Sequence, residues 1–446
     1  MAFAAAPTRY ITPEEFGAVG DGITNDTDAF AAMSERVTKE GGGVIFLRAT
    51  TYVVGKQAPE RTQTIYSFPP SKIMEFSGCN KKLTIIGNGA CLRCADGLRY
   101  GTFNASTALA TFHPLPNYNP VELATPYAAM IKVQNCSGGI EISDIELDGN
   151  IASLIIGGPF GDTGHQIPAF GLQLINNNCA EQVSQIYTHH HALDGLHASG
   201  FVGRASSSMI RHVISEYNAR QGCSLTGGCN YSFVNCRFSH TGRAGLATSP
   251  GAGVDIEAED KTIRNVSFTA CEFSNNVGAG MIADSGDTDG GTFNGCRFIG
   301  ATHWSAWPAK PNFRFANCQF VGAICNTFGD PDPQRAVQFS NCDFLDDPAL
   351  SPTRQVYTPL GPIADLWDHK NVLFDDCRFK LTAQCVLPWT LSVLYNNCSL
   401  SQTQAKQAYP RGTFTGVNTI SGNVDLYGSR ILGELTVNGR LIARTG

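Results

Sequence analysis

The sequence predicts an all-β solenoid, and three observations carry that prediction. Seven short stretches place a Phe or Leu two residues after a Cys: Cys236-Phe238, Cys271-Phe273, Cys296-Phe298, Cys318-Phe320, Cys342-Phe344, Cys377-Phe379 and Cys398-Leu400. Each alternates apolar and polar, as in Asn235-Cys236-Arg237-Phe238, which is a strand with one buried face. The stretches recur every 21 residues (377 to 398) to 35 residues (236 to 271), and a strand repeating at that interval belongs to a coil that hides its face by stacking on the next. Finally, 47 Gly, 22 Pro and only 16% charged residues among 446 fit a chain of short strands and many turns.

Taken in order, the elements divide the chain into three parts. Residues 1–75 form an N-terminal cap region. Its helix spans 27–39, with Ala29, Phe30, Met33 and Val37 on one face and Gly41, Gly42 and Gly43 as the stop. Its first strand is Val44-Ile45-Phe46-Leu47. Residues 76–400 are the solenoid, its coils beginning near Lys82 and clear again at Ile140-Glu141-Ile142-Ser143-Asp144-Ile145. Residues 151–169, 301–313 (with Trp304 and Trp307) and 345–368 (with Trp367) read as loops inserted between strands, where solenoids build binding surfaces. Residues 401–446 lose the Cys pattern and read as a cap or an oligomerisation segment.

Charge and hydropathy exclude several classes. Net charge is −6 with no long basic run, so nucleic acid is not the expected partner. No apolar run reaches the roughly 18–20 residues of a membrane span. The opening Met1-Ala2-Phe3-Ala4-Ala5-Ala6-Pro7 is either the scar of a cleaved signal peptide or a native terminus. Of sixteen Cys, the seven repeated ones predict a buried thiol ladder packing as small hydrophobes, at a rung spacing of about 4.8 Å that leaves an oxidised pair open. Cys91-Leu92-Arg93-Cys94 has metal-like spacing without a second pair.

The run Phe16-Gly17-Ala18-Val19-Gly20-Asp21-Gly22-Ile23-Thr24-Asn25-Asp26-Thr27-Asp28-Ala29-Phe30 resembles the opening motif of the pectate-lyase-like superfamily. That family comprises right-handed parallel β-helices: phage tailspike depolymerases, glycoside hydrolases related to polygalacturonases, polysaccharide lyases and mannuronan epimerases. The resemblance implies a right-handed parallel β-helix with an N-terminal capping helix. It further implies a polysaccharide or oligosaccharide substrate, a secreted, extracellular, periplasmic or virion-associated location, and an assembly that is often a homotrimer. Two departures stand out. Arg48-Ala49-Thr50-Thr51-Tyr52 replaces the usual Pro-x-Gly-x-Tyr, and the combined polygalacturonase residue set is absent.

The coils also place the chemistry. Five contain a Gly followed by an alternating strand, beginning at Gly171, Gly195, Gly222, Gly253 and Gly280. With these in register the inward positions are apolar. The outward columns read Gln173, His197, Ser224, Asp255, Ile282 and Ile175, Ser199, Thr226, Glu257, Asp284. Rungs about 4.8 Å apart then gather Asp255, Glu257 and Asp284, and carboxylates so close raise at least one pKa. That is the acid and base pair of glycoside hydrolysis, so these three are the candidate catalytic residues. The alternative use of such a cluster is a Ca²⁺ site, although hydrolysis itself calls for no cofactor.

Around them His197, Arg220, Arg243, Trp304 and Trp307 are the candidate substrate-binding residues, the arginines for an acidic sugar and the indoles as a platform. Tyr187-Thr188-His189-His190-His191 is not expected to make a metal triad, because consecutive strand residues alternate faces. Three functions follow: a glycoside hydrolase first, then a polysaccharide lyase or uronate epimerase that abstracts a proton, then a glycan-binding spike without turnover.

Overall fold

The computed structural model describes residues 9–61, 66–104, 106–111, 123–158, 164–201, 203–259, 261–359, 361–366, 369–403 and 405–444. The N-terminal heptapeptide and Trp367 lie outside them. The chain is a right-handed parallel β-helix, with one α-helix among the described residues. It divides into two compact units, residues 1–220 with 244–249, and residues 221–243 with 250–446.

The first unit begins with the cap. The helix Thr27–Glu40 buries Ala29, Phe30, Met33, Ser34 and Val37 and packs on the strand Met74–Ser77. Its sequence signals act as expected. Asp26, just before the helix, accepts the backbone N–H of Val19 (2.7 Å) and Gly20 (3.1 Å), which ties the glycine-rich opening turn to the helix. Gly41, at φ 78°, ends it in the left-handed conformation. One parallel sheet then runs through Gly43–Phe46, Leu83–Cys94, Ile140–Asp148, Glu181–His189, and the pair Ser208–Arg211 and Ile214–Glu216. A second runs through Met74–Ser77, Ala129–Gln134, Phe170–Ile175 and Asp194–Ser199.

The second unit shows what the Cys repeat does. The residue before each repeated Cys turns a corner with positive φ: Asn235, Ala270, Gly295, Asn317, Asn341, Asp376 and Asn397, at 52–63°. Asn, Asp and Gly tolerate this left-handed conformation, which accounts for their place in the motif. The thiol after the corner points inward. From Cys271 to Cys398 each Sγ lies 3.2–3.7 Å from the carbonyl of a Phe in the preceding coil, and so satisfies a backbone group at the bend. All sixteen thiols are free and all but Cys91 are buried. Two ladders of aromatic rings fill the interior beside them. Phe233, Phe268, Phe293, Phe315, Phe339, Phe374, Tyr395 and Phe414 stack at 4.5–5.6 Å. Phe238, Phe273, Phe298, Phe320, Phe344 and Phe379 stack at 4.5–5.8 Å.

Ala270 is the corner residue without a compensating feature. It is exposed, and a Cβ-bearing residue at φ 52° costs roughly 1–2 kcal/mol unless its side chain suits the conformation. Ala270→Asn is therefore expected to raise stability by about 0.5–1 kcal/mol, read as an upward shift of the urea midpoint at constant slope. An unchanged or lowered midpoint would contradict this account of the repeat.

Three segments differ from the sequence reading. Within 151–169, Ile155–Gly157 is a short strand paired with Arg99–Gly101. Residues 301–313 are not a loop throughout: Trp307–Pro308 is a short strand paired with Ile282–Ala283. Past residue 400 parallel pairing continues through Thr413–Thr415, Val417–Ser421 and Glu434–Val437 before Arg440–Arg444 folds back antiparallel. At the next rung Asn418 stands in the Cys position and accepts the Cys398 N–H at 2.9 Å, as the Cys271 thiol accepts that of Cys236 at 3.4 Å.

Candidate functional site

The outward column of the second unit is built by close stacking. Gly222, Gly253 and Gly280 stand in a row because a Cβ on each would come 2.4–2.6 Å from the carbonyl oxygen of the next coil. The strands that follow pair Ser224 with Asp255, Asp255 with Ile282, and Ile282 with Trp307. Inward neighbours Cys223, Leu225, Val254, Ile256, Met281 and Ala283 are fully buried.

Asp255, expected on an open face, is only 3% exposed, and its Oδ2 accepts the side-chain amide of Gln221 at 2.7 Å. Ile282 is buried as well, with Ala252 and Ala279, beneath Trp304 and Trp307. Asp255 therefore belongs to a covered polar floor. The column does not remain polar: on the next rung Ile282 packs with Ala252 and Ala279 under the two indoles, and Asp255 pairs in register with it.

The open carboxylates are one position further along. The Glu257 N–H continues the ladder to the Leu225 carbonyl at 2.9 Å, and its half-buried carboxylate accepts the Ser285 hydroxyl at 3.0 Å. Asp284 is exposed, yet its carboxyl is held above the usual range, first by partial burial and then by the negative charge of Glu257. Lys310 opposes that rise through its charge, while its ammonium donates to the Gly286 carbonyl at 2.8 Å. Sequence reasoning missed Lys310. Its signal was its place three residues after Trp307 on the next coil.

The predicted binding residues are more committed than expected. Trp304 stands edge-on to Tyr357 at 4.9 Å, and both indoles are half-buried. Arg243 donates to the carbonyls of Asn275 (3.2 Å) and Asn276 (3.4 Å) and to the Thr302 hydroxyl (2.8 Å), bracing two turns.

In the first unit, His197 pairs in register with Gln173, accepts its amide at Nδ1 (2.9 Å), and stacks on Phe170 at 4.9 Å. Arg220 holds the fully buried Asp194 with two bonds of 2.9 and 2.5 Å and donates to Gln166 at 3.0 Å. Expected to meet an acidic sugar, Arg220 instead neutralises a buried carboxylate, which burial makes the stronger demand.

The first unit also carries a polar face that the glycine alignment passed over. Register places Arg93, Asp148, His189 and Glu216 in one column and Cys91, Glu146, Tyr187 and Ile214 in the next. The signal was the match of Ile142-Ser143-Asp144-Ile145 with Val183-Ser184-Gln185-Ile186, whose third residues both have positive φ.

No family model matches the chain. A capsule KN3-specific depolymerase of Klebsiella phage KN3-1 is 42% identical over 72 residues, which is 16% of this chain and 9% of that protein. The chain thus matches under a tenth of that relative's length. Among solved structures, the N-terminal fragment of bacteriophage phi29 gene product 12 is similar with a TM-score of 0.53 at 13% identity, over 97% of this chain and 72% of that one. The pre-mature form of the same gene product gives 0.51 at 14%, over 97% and 57%. At such identities the likeness concerns the fold.

Proposed function

We propose that this chain cleaves glycosidic bonds of a polysaccharide by carboxylate acid–base hydrolysis, with Asp284 as the acid and Glu257 as the base or nucleophile. One observation carries the reading: an open carboxyl held above its ordinary range stands beside a second carboxylate. Asp284 in its protonated form gives its proton to the leaving glycosidic oxygen. Glu257, oriented by Ser285, serves the opposite role on the sugar. Lys310 balances charge beside Asp284, and the exposed edges of Trp304 and Trp307 offer apolar surface for a sugar ring. Asp255 supports the floor through Gln221 and takes no part in proton transfer. The mechanism needs no cofactor, and Ca²⁺ held by Glu257 and Asp284 is the competing use of the same oxygens. The match to a capsule-specific phage depolymerase supports a capsular polysaccharide as the substrate class, and a virion-associated or extracellular place of action.

The test is a digest of capsular, neutral and acidic polysaccharides with and without chelator, following reducing ends and the ultraviolet absorbance of unsaturated uronates. Reducing ends without absorbance, indifferent to chelator, are expected. Absorbance would replace hydrolysis by β-elimination. Glycan binding with neither signal would leave a binding spike.

A further inference from the structure

We propose that Asp148, His189 and His190 form a binding site for a divalent first-row transition metal of the Zn²⁺ type, a site distinct from the Glu257–Asp284 pair and independent of the hydrolytic reading. One ligand atom of each residue lies within 4.8 Å of the others. The expectation that neighbouring histidines face apart fails here for a specific reason. His189 ends its strand pointing outward beside Asp148, but His190 has φ 55°, and this left-handed step breaks the alternation. The two rings meet nearly at right angles (87°), with Nδ1 facing Nδ1 at 2.7 Å. His191 resumes the inward direction. It is fully buried and bonded to the Tyr127 hydroxyl (2.8 Å) and the Thr188 hydroxyl (3.0 Å), so it is not a ligand.

The surroundings select a metal over a simple hydrogen bond. His189 Nε2 faces the Glu146 carboxylate at 3.1 Å. A carboxylate accepts only, so Nε2 carries the proton and the Nδ1 of a neutral ring is a bare lone pair. That lone pair points at the second imidazole, with Asp148 Oδ1 3.7 Å away. Carboxylate, imidazole and ligand direction in this order are the outer support that orients metal-binding histidines. Tyr217 stacks on His190 (5.1 Å, 12°) and Tyr187 lies 4.1 Å from His189, so both rings are held in place.

Among the described residues Glu146, Asp148 and Glu216 face the site, and the Arg93 guanidinium, which also pairs with Asp96 at 3.1 Å, has its Nε 3.6 Å from Asp148. Cys91, in the adjoining column, keeps its proton because burial and the two carboxylates push its thiol up to about 12. Two imidazoles and one carboxylate suit Zn²⁺, Co²⁺ or Ni²⁺, whereas Ca²⁺ and Mg²⁺ prefer oxygen donors. Asp148 and His190 are half-buried, which leaves a coordination position for water.

The test uses the full chain, stripped by chelator and titrated with Co²⁺ by visible absorbance and with Zn²⁺ and Ca²⁺ by calorimetry. One equivalent of Co²⁺ is expected, with ligand-field bands of nitrogen and oxygen donors and no thiolate charge-transfer band. Zn²⁺ should displace it and Ca²⁺ should not. Glu146→Ala is expected to weaken Co²⁺ on the order of 10–100-fold, and His190→Ala at least as much. His197→Ala should bind as the parent does. Absent uptake would overturn the site. Thiolate bands, preference for Ca²⁺, or unchanged affinity in His190→Ala would overturn it too. The parent spectrum decides the matter even if a variant does not fold.

Discussion

Glu257→Gln and Asp284→Asn are each expected to lower turnover by about 10²–10⁴-fold, the usual share of a positioned acid or base. Stability should not follow activity. Asp284 has its carboxyl raised in the folded chain, so the protonated form is the better tolerated one. Its stabilising contribution is complete below the unfolded value of 3.8 and is lost as pH rises through the raised folded value. At neutral pH the ionised carboxylate is thus a small burden on the fold, and Asp284→Asn removes it. The expected result at pH 7 is an unfolding midpoint equal to the parent's or slightly above it, within about 0.5 kcal/mol as for other exposed positions. Initial rates on the responsive polysaccharide, paired with urea midpoints, separate the two effects. Turnover retained in both variants would remove this pair from the chemistry, and a large loss of stability would make the pair structural.

Phe293→Ala is expected to cost about 3–5 kcal/mol, the range for deleting a buried ring. Phe293 is 1% exposed and stacks between Phe268 (4.8 Å) and Phe315 (4.9 Å). It also meets the second ladder at Phe273 (6.1 Å) and Phe298 (5.6 Å), so one deletion interrupts both rows. In a solenoid each coil is held by its neighbours, and the gap cannot close without shifting the coils on both sides. Phe293→Leu, which keeps most of the volume, should cost clearly less. Urea unfolding of the two variants gives the comparison. A loss below about 1 kcal/mol in Phe293→Ala would show that the coils relax around the gap.

The fold was legible because its rules are local. Asn before Cys and Phe two residues after it describe one corner and one inward strand, and both are fixed by backbone conformation and a two-residue period. The rung register of Ser224, Asp255 and Ile282 followed from the glycine row for the same reason. What covers a rung was not legible. Asp255 is buried and bonded to Gln221 across 34 residues, and Ile282 lies under indoles of the next coil, contacts that no local period announces. The commitment of Arg220 to Asp194 is likewise a pairing across 26 residues. The facing imidazoles of His189 and His190 were hidden by one positive φ at a residue other than Gly or Asn, where alternation is the natural assumption.

The corner of the repeat also limits how this molecule can change in length. Excising residues 318–341 would join Asn317 to Cys342, a left-handed Asn followed by an inward thiol, as at Asn235 and Asn397. Phe315 would then meet Phe374, and Phe298 would meet Phe344, each ladder one ring shorter but continuous. A cut that joins two positions not equivalent between coils would turn the strand that follows away from its row. The size step that keeps both ladders continuous is therefore the entire coil.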